Sequence, residues 1–237
     1  MPIPAYSLVA VSIGLLFCLG EAVALVRPRN PKIPFLALMI DPLSLIHRYY
    51  PEDNALRQLL IHHSQQVACH AQRVAAAHPE LSLDAEFLYR GAMLHDIGIF
   101  LTDAPGIHCH GTAPYIIHGR LGAELLRQED DPEAEALARV CERHTGTGLT
   151  AQTIIERQIP LPPADYRPET LEEQVICYAD KFYSKSHPER ERTYEQTLQS
   201  LARFGKEGVS IFQHWHALFG SHPPHAEHST KNTYYIS

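Results

Sequence analysis

Six side chains able to hold a divalent cation recur in order along the 237 residues: His63, the adjacent pair His95-Asp96, His118, His144 and Asp180. Histidine is the over-used residue type, with 16 copies. Imidazole nitrogens and carboxylate oxygens suit zinc, iron, manganese, cobalt, magnesium or similar divalent ions, and no thiolate is obviously involved. Four of the six groups would hold one ion; all six, with a carboxylate bridging, would hold two. A single such histidine is ordinarily a core or surface residue with a satisfied hydrogen bond. Six titratable groups buried without a cation would each need separate pairing. His95 and Asp96 pose the sharpest question, because neighbours on a helix point about 100° apart and share an ion only if both bend toward it.

The elements that must position these groups read as helices. Leu56, Leu59, Leu60, His63, Val67, His70 and Val74 recur at helical spacing and predict one long helix over 53–78, stopped by Pro79. Ser82 is the expected start of a second helix, with Asp84 and Glu86 in its first turn. That helix carries Leu88, Ala92 and Leu94 up to His95-Asp96, and a loop rich in turn residues follows over 102–111. Pro114, read as a first-turn proline, opens a helix through Gln128. Asp131-Pro132-Glu133 begins another toward His144, broken by Gly146 and Gly148. A short turn over 152–158 and a Pro-rich link over 160–168 come next. Thr170-Leu-Glu-Glu173 is a capping box opening the helix that holds Asp180. Ser186-His-Pro-Glu189 repeats that signal for a helix toward Phe204, and 209–219 makes the last one. Phe87, Leu88, Leu125, Leu126, Val140, Ile176, Phe182, Leu198, Leu201, Phe212 and Trp215 are expected in the core, and a place on the surface or in core packing, not metal binding, is expected for His214 and His216 beside Trp215. The expected fold class is all-α.

Composition sets bounds on partners and place. A formal net charge of −7 argues against a general nucleic-acid binder. Small anionic substrates stay open, because a bound ion can dominate the local field. The five cysteines (Cys18, Cys69, Cys109, Cys141, Cys177) are scattered and show no CxxC pair, so neither a zinc ribbon nor a disulfide framework follows. A reducing compartment, the cytoplasm, is the expectation, with most of them acting as small buried hydrophobes. Residues 6–26 are apolar apart from Glu21 and are followed by Arg27, Arg29 and Lys32. That span is near the ~20 residues that cross a bilayer, and the trailing positive charge would keep the remainder cytoplasmic. Two readings stand: a membrane tether, the only membrane contact expected, or an appendage preceding a start near Met39-Ile40-Asp41-Pro42. It makes a poor secretory signal, because no basic residue precedes it. The expected organisation is an apolar extension over 1–38, one domain over 39–220 and a polar tail over 221–237.

Five stretches carry a resemblance: HSQQVA from His63, GAMLHDIG from Gly91, HGRLGAELL from His118, ERHTGTGLT from Glu142 and YADKFYSK from Tyr178. Together they resemble the HD superfamily of metal-dependent phosphohydrolases, over about 41–185, and most of all its small single-domain HDIG members. The ordered set H…HD…H…H…D is specific where a lone HD would be weak. The resemblance implies a helical bundle around a His/Asp metal site. It also implies that His63, His95, Asp96 and Asp180 bind a first ion, while Asp96 bridges to a second held by His118 and His144. His62 adjoins His63 but faces elsewhere. The Gly-Tyr-Pro extension of the cyclic-di-GMP phosphodiesterases is absent, since residues 146–150 read Gly-Thr-Gly-Leu-Thr, so that activity is disfavoured.

The expected activity is cleavage of a phosphoester or phosphoanhydride, most often of a nucleotide in such a family, by a water that one or two ions activate. Asp96 would be central to that chemistry. Arg120, Lys181 and Lys185 are candidates to neutralise substrate phosphate; the alternative is that they are solvated cations near helix ends. His110, in the loop segment His108-Cys109-His110, is a candidate general acid or an ordinary surface histidine. Two rival functions share the ligand set, a di-iron oxygenase and a non-catalytic nucleotide sensor.

Overall fold

A helix starts where a short polar side chain takes up its first free amides, and six helices here begin that way. The structure, a computed structural model, describes residues 39–220; the extension over 1–38 with its 6–26 stretch, and the tail over 221–237, lie outside the described residues. Asp41 caps α1 (Pro42–Tyr49), Asn54 caps α2 (Ala55–Ala77) and Asp84 caps α3 (Ala85–Leu94). Thr150 caps α6 (Ala151–Glu156), Thr170 caps α7 (Leu171–Asp180) and Thr193 caps α8 (Tyr194–Ala202). Three helices lack a side-chain cap: α4 (His118–Leu126), α5 (Ala134–Arg143) and α9 (Lys206–Phe219). None of the helices among the described residues is long and apolar enough to cross a membrane.

The long helix α2 buries Leu60, His63, Ser64, Val67, Ala68, Ala71 and Val74, one face at a spacing of three and four. It packs on α3 and α7, and α4 lies along α5. Leu88, Leu126, Val140, Ile176, Phe182, Leu201, Phe212 and Trp215 are buried in one core, with Phe87 and Leu198 partly buried against it. Leu125 is half-buried. His216 packs as expected: it stacks on Tyr194 at 3.9 Å between ring centroids and pairs with the Tyr178 hydroxyl at 2.8 Å, while His214 is exposed.

Several expected boundaries move. Ser82 sits in the left-handed region at φ 50° and closes a 3-10 turn; Asp84, two residues on, is the cap, with Oδ1 accepting from the amides of Glu86 and Phe87. Pro114 is strand, not helix. The loop over 102–114 folds into a small sheet in which β1 (Thr102–Ala104) lies between antiparallel β2 (Cys109–His110) and parallel β3 (Ala113–Pro114). Pro114 tolerates that place because it lies on an edge strand, where its missing N–H leaves no ladder bond open. A 3-10 turn over Tyr115–Ile117 then leads into α4. The turn expected over 152–158 is α6. Residues 186–189 start no helix: 181–192 form a loop, closed by Tyr183 opposite Glu191 and by the Arg192 amide donating to the Phe182 carbonyl at 2.7 Å.

Glycines set how closely the site-bearing segments approach. A Cβ on Gly98 would lie 2.3 Å from the Gly122 amide nitrogen and 2.5 Å from the His118 carbonyl oxygen. One on Gly119 would lie 2.3 Å from the Cys141 carbonyl oxygen. Backbone cannot turn aside as a side-chain tip can, so these contacts admit hydrogen alone. Gly98→Ala is expected to push α4 outward and cost about 1–3 kcal/mol or more in urea unfolding. Gly106→Ala, whose Cβ meets nothing within 4 Å, is the control expected to leave the midpoint unchanged.

Candidate metal centre

The helix α3 stops at Leu94, with His95 as its C-cap, so the His-Asp pair is not held in regular helix. From there the chain tightens, with Ile97 N bonding to Leu94 O and Ile99 N to Asp96 O, each at 3.0 Å. The Tyr50 hydroxyl, at the end of α1, donates to the Ile97 carbonyl at 2.7 Å and fixes that turn from outside. Both side chains thereby reach the same buried point.

Three imidazoles are oriented by one device. His95 Nδ1 lies 2.6 Å from the Ala92 carbonyl, His118 Nδ1 2.7 Å from that of Tyr115, and His144 Nδ1 2.6 Å from that of Cys141. In each case the acceptor is three residues back. A carbonyl only accepts, so each Nδ1 carries the proton and each Nε2 faces inward. His63 arrives from the buried face of α2, while His62 is exposed and reaches the Pro188 carbonyl at 3.3 Å. Asp180 ends α7.

The six groups converge, all buried. Asp96 Oδ2 stands 3.2 Å from His63 Nε2 and 3.0 Å from His95 Nε2. Asp180 Oδ1 stands 3.1 and 3.5 Å from the same two nitrogens. The other Asp96 oxygen, Oδ1, is 3.2 Å from His118 Nε2 and 3.4 Å from His144 Nε2. Those last two nitrogens are 3.0 Å apart. One carboxylate thus faces two nests, His63/His95/Asp180 on one oxygen and His118/His144 on the other.

The donors suit a divalent ion. His63 Nε2, His95 Nε2 and both Asp96 oxygens are buried yet make no hydrogen bond, and an unpaired buried polar atom is costly. Two Nε2 lone pairs 3.0 Å apart repel unless a cation stands between them. Spacings of 3.0–3.5 Å match neighbouring ligands each about 2.1 Å from one ion. The His95/Asp96/His144 and His63/His95/Asp180 sets are each compatible with divalent metal binding.

Electrostatics agrees. Burial opposes the charge on Asp96, yet His95 and Lys185 outweigh it and hold its carboxyl well below the usual range. Burial likewise opposes the charge on Asp180, where Lys181 and His63 prevail. His95 would be lowered by burial but is raised to about 9, chiefly by Asp96. His144 goes the other way, burial bringing it down to about 4, so its ring is neutral at pH 7.

Of the residues expected to meet substrate, two lysines reach the centre. Lys181 Nζ donates to the His144 carbonyl at 3.0 Å and pairs with Asp180. Lys185 Nζ lies 2.5 Å from Asp96 Oδ2. Both line a cavity of about 410 Å³ that touches Asp180, along with Tyr115, Ile107 and Arg192. Arg120 and His110 do not come to it. Arg120 is spent on Glu124 one turn along α4, at 2.9 Å. His110 alternates with buried Cys109 on β2, and a strand sends successive side chains to opposite faces, so it points to solvent. Sequence reasoning missed Tyr115, which stacks on His118 at 4.6 Å, and Arg192. It also missed what the thiols do: Cys141 Sγ donates to Leu94 O, and Cys177 Sγ to His144 O, carbonyls at the ends of two site-bearing helices. Burial pushes the Cys177 thiol up to about 12, which keeps it protonated.

A family model for the HD domain matches residues 60–184, more than half of the chain. The chain belongs to the HD domain family. Its all-α bundle around a His/Asp cluster is an HD fold. An uncharacterized protein of Methanocaldococcus jannaschii is 37% identical over 129 residues, 54% of this chain and 68% of that one. Similar segments, 34% and 30% identical, lie in tRNA (cytidine(56)-2'-O)-methyltransferases of Picrophilus torridus and Thermoplasma volcanium. The matches take in 53% and 66% of this chain but 32% and 39% of theirs, so this HD domain spans a minor share of those relatives. Among solved structures, the HD domain of the L. monocytogenes phosphodiesterase PgpH aligns at 18% identity and a TM-score of 0.43, over 73% of this chain and 94% of that one.

Proposed function

We propose that this HD domain, taken as residues 39–220, is a metal-dependent phosphohydrolase that cleaves a phosphoester or phosphoanhydride, with nucleotides as the substrate class. The carrying observation is one carboxylate, Asp96, set between two nests of ligands, one of which reaches through Asp180 a cavity lined by Lys181, Lys185 and Arg192. His63, His95, Asp96 and Asp180 would hold one ion, and Asp96, His118 and His144 a second. Bound there, the ions would bring a water toward hydroxide and neutralise phosphate oxygens. The protein's part is orientation and charge. Backbone carbonyls aim three imidazoles, Lys181 fixes Asp180, and the cationic wall receives an anionic substrate. Ile107 and Tyr115 line part of the cavity with apolar surface, which strengthens charge interactions beside it. That cationic wall favours an anionic substrate.

Metal analysis on protein purified without chelators is expected to find one or two ions per chain. A screen of mono-, di- and dinucleotides with Mn, Fe, Co or Mg is expected to release product and to stop on chelation. Oxygen uptake with an organic substrate and no phosphate chemistry would replace this reading with the oxygenase. A chain that takes up no ion would leave the sensor.

A further inference from the structure

We infer that Lys185 is a displaceable counter-cation: its ammonium holds Asp96 while the centre lacks metal, and metal loading releases it into the cavity to bind substrate phosphate. The inference rests on the metal-site reading and adds to it an order of events, in which the anion site is armed only by the metal.

Position is the first support. Lys185 Nζ stands 2.5 Å from Asp96 Oδ2, the oxygen that also faces His63 and His95. A cation in that nest and an ammonium therefore compete for one atom. Unlike Lys181, Lys185 is held in the centre by its carboxylate pair and by no backbone carbonyl among the described residues.

Charge is the second. Asp96 and Asp180 bring two negative charges, and Lys181 and Lys185 two positive ones. Without metal these ion pairs compensate both carboxylates, which is what allows them to stay buried. A dication in the nest turns that balance positive, and Lys185 is the group repelled, because Lys181 is tied by a second bond to the His144 carbonyl. An incoming phosphate offsets that charge.

Reach is the third. Lys185 lies in a loop pinned at its base by Tyr183 opposite Glu191 and near its tip by Gln66, whose side-chain amide donates to the Pro188 carbonyl at 2.9 Å. Its side chain is 13% exposed and lines the cavity. Rotation about its own flexible stem carries the ammonium from Asp96 into that space, with no shift of α7.

Titration calorimetry with Mn²⁺, then with inorganic phosphate, tests this. Lys185→Met should bind Mn²⁺ about tenfold tighter than wild type, since no ion pair has to be displaced, and the loaded variant should bind phosphate about tenfold more weakly. Wild type without metal should bind no phosphate. Unchanged or weaker Mn²⁺ binding by the variant overturns the inference. Wild type that binds no Mn²⁺ overturns the metal-site reading beneath it. A measurement on wild type needs no variant to fold: acylation of Lys185, mapped by mass spectrometry against exposed Lys206, should rise severalfold with Mn²⁺ and fall again with phosphate. Labelling that stays level or drops with Mn²⁺ refutes release.

Discussion

Asp96→Ala is expected to lose about 10³-fold or more of the activity, together with most of the bound metal, while the far-UV helical signal stays near that of wild type. Each Asp96 oxygen faces a different pair of imidazoles, at 3.0–3.2 Å for Oδ2 and 3.2–3.4 Å for Oδ1. Asp96 offers one carboxylate oxygen to each nest, so its loss should empty both, whereas His118→Ala should spare the nest of His63, His95 and Asp180. The fold should persist, because Asp96 makes no hydrogen bond that a helix depends on. Metal content and turnover are the readouts. Wild-type turnover, or full metal occupancy, in the Asp96→Ala protein would remove the central claim.

Arg90→Ala is expected to do the opposite, lowering stability by about 3–5 kcal/mol in urea unfolding. Arg90 is 2% exposed on α3 and pairs with both Asp131 and Glu133 ahead of α5. Asp131 is itself buried there and accepts from the Ile40 amide at 2.8 Å. Truncating the arginine strands Asp131 as a buried charge, and such an orphan is what makes half of an ion pair so damaging. Arg90→Met combined with Asp131→Asn should recover a good part of the loss, because the charge and its partner leave together. A loss under about 1 kcal/mol for Arg90→Ala would mean that the pair is solvated in solution.

The contrast between these two residues bears on what the sequence could disclose. All six groups of the centre were legible, because metal chemistry restricts residue type and because four of them close or open a helix. The capping box at Thr170 and Glu173 was legible for a similar reason, a local bond between near neighbours. A matching signature at Thr193 and Gln196 was present and was passed over for 186–189, where Pro188 and its neighbours form loop. Ser82 and Asp84 are both residue types that cap helices, and a left-handed backbone at Ser82 leaves the cap to Asp84. Strands of two and three residues are too short to show a period, so the sheet over 102–114 left no trace. Pairings across long separations, Arg90 with Asp131 or Lys185 with Asp96, have no local signature. Arg120 is a different case: its partner Glu124 lies four residues on along the same helix and holds it away from the cavity.

The ligands are spread from α2 to the end of α7, from residue 63 to residue 180, and the nest of His63, His95 and Asp180 draws on three separate helices. The site therefore comes into being only with the last long-range contact of folding, and an unfolded chain offers nothing comparable to bind. An ion present at 1,000 times its dissociation constant would then add about 4 kcal/mol to the whole domain at once. A metal here works as a rivet through separate helices, and melting temperature measured against metal concentration should report its binding as faithfully as catalysis does.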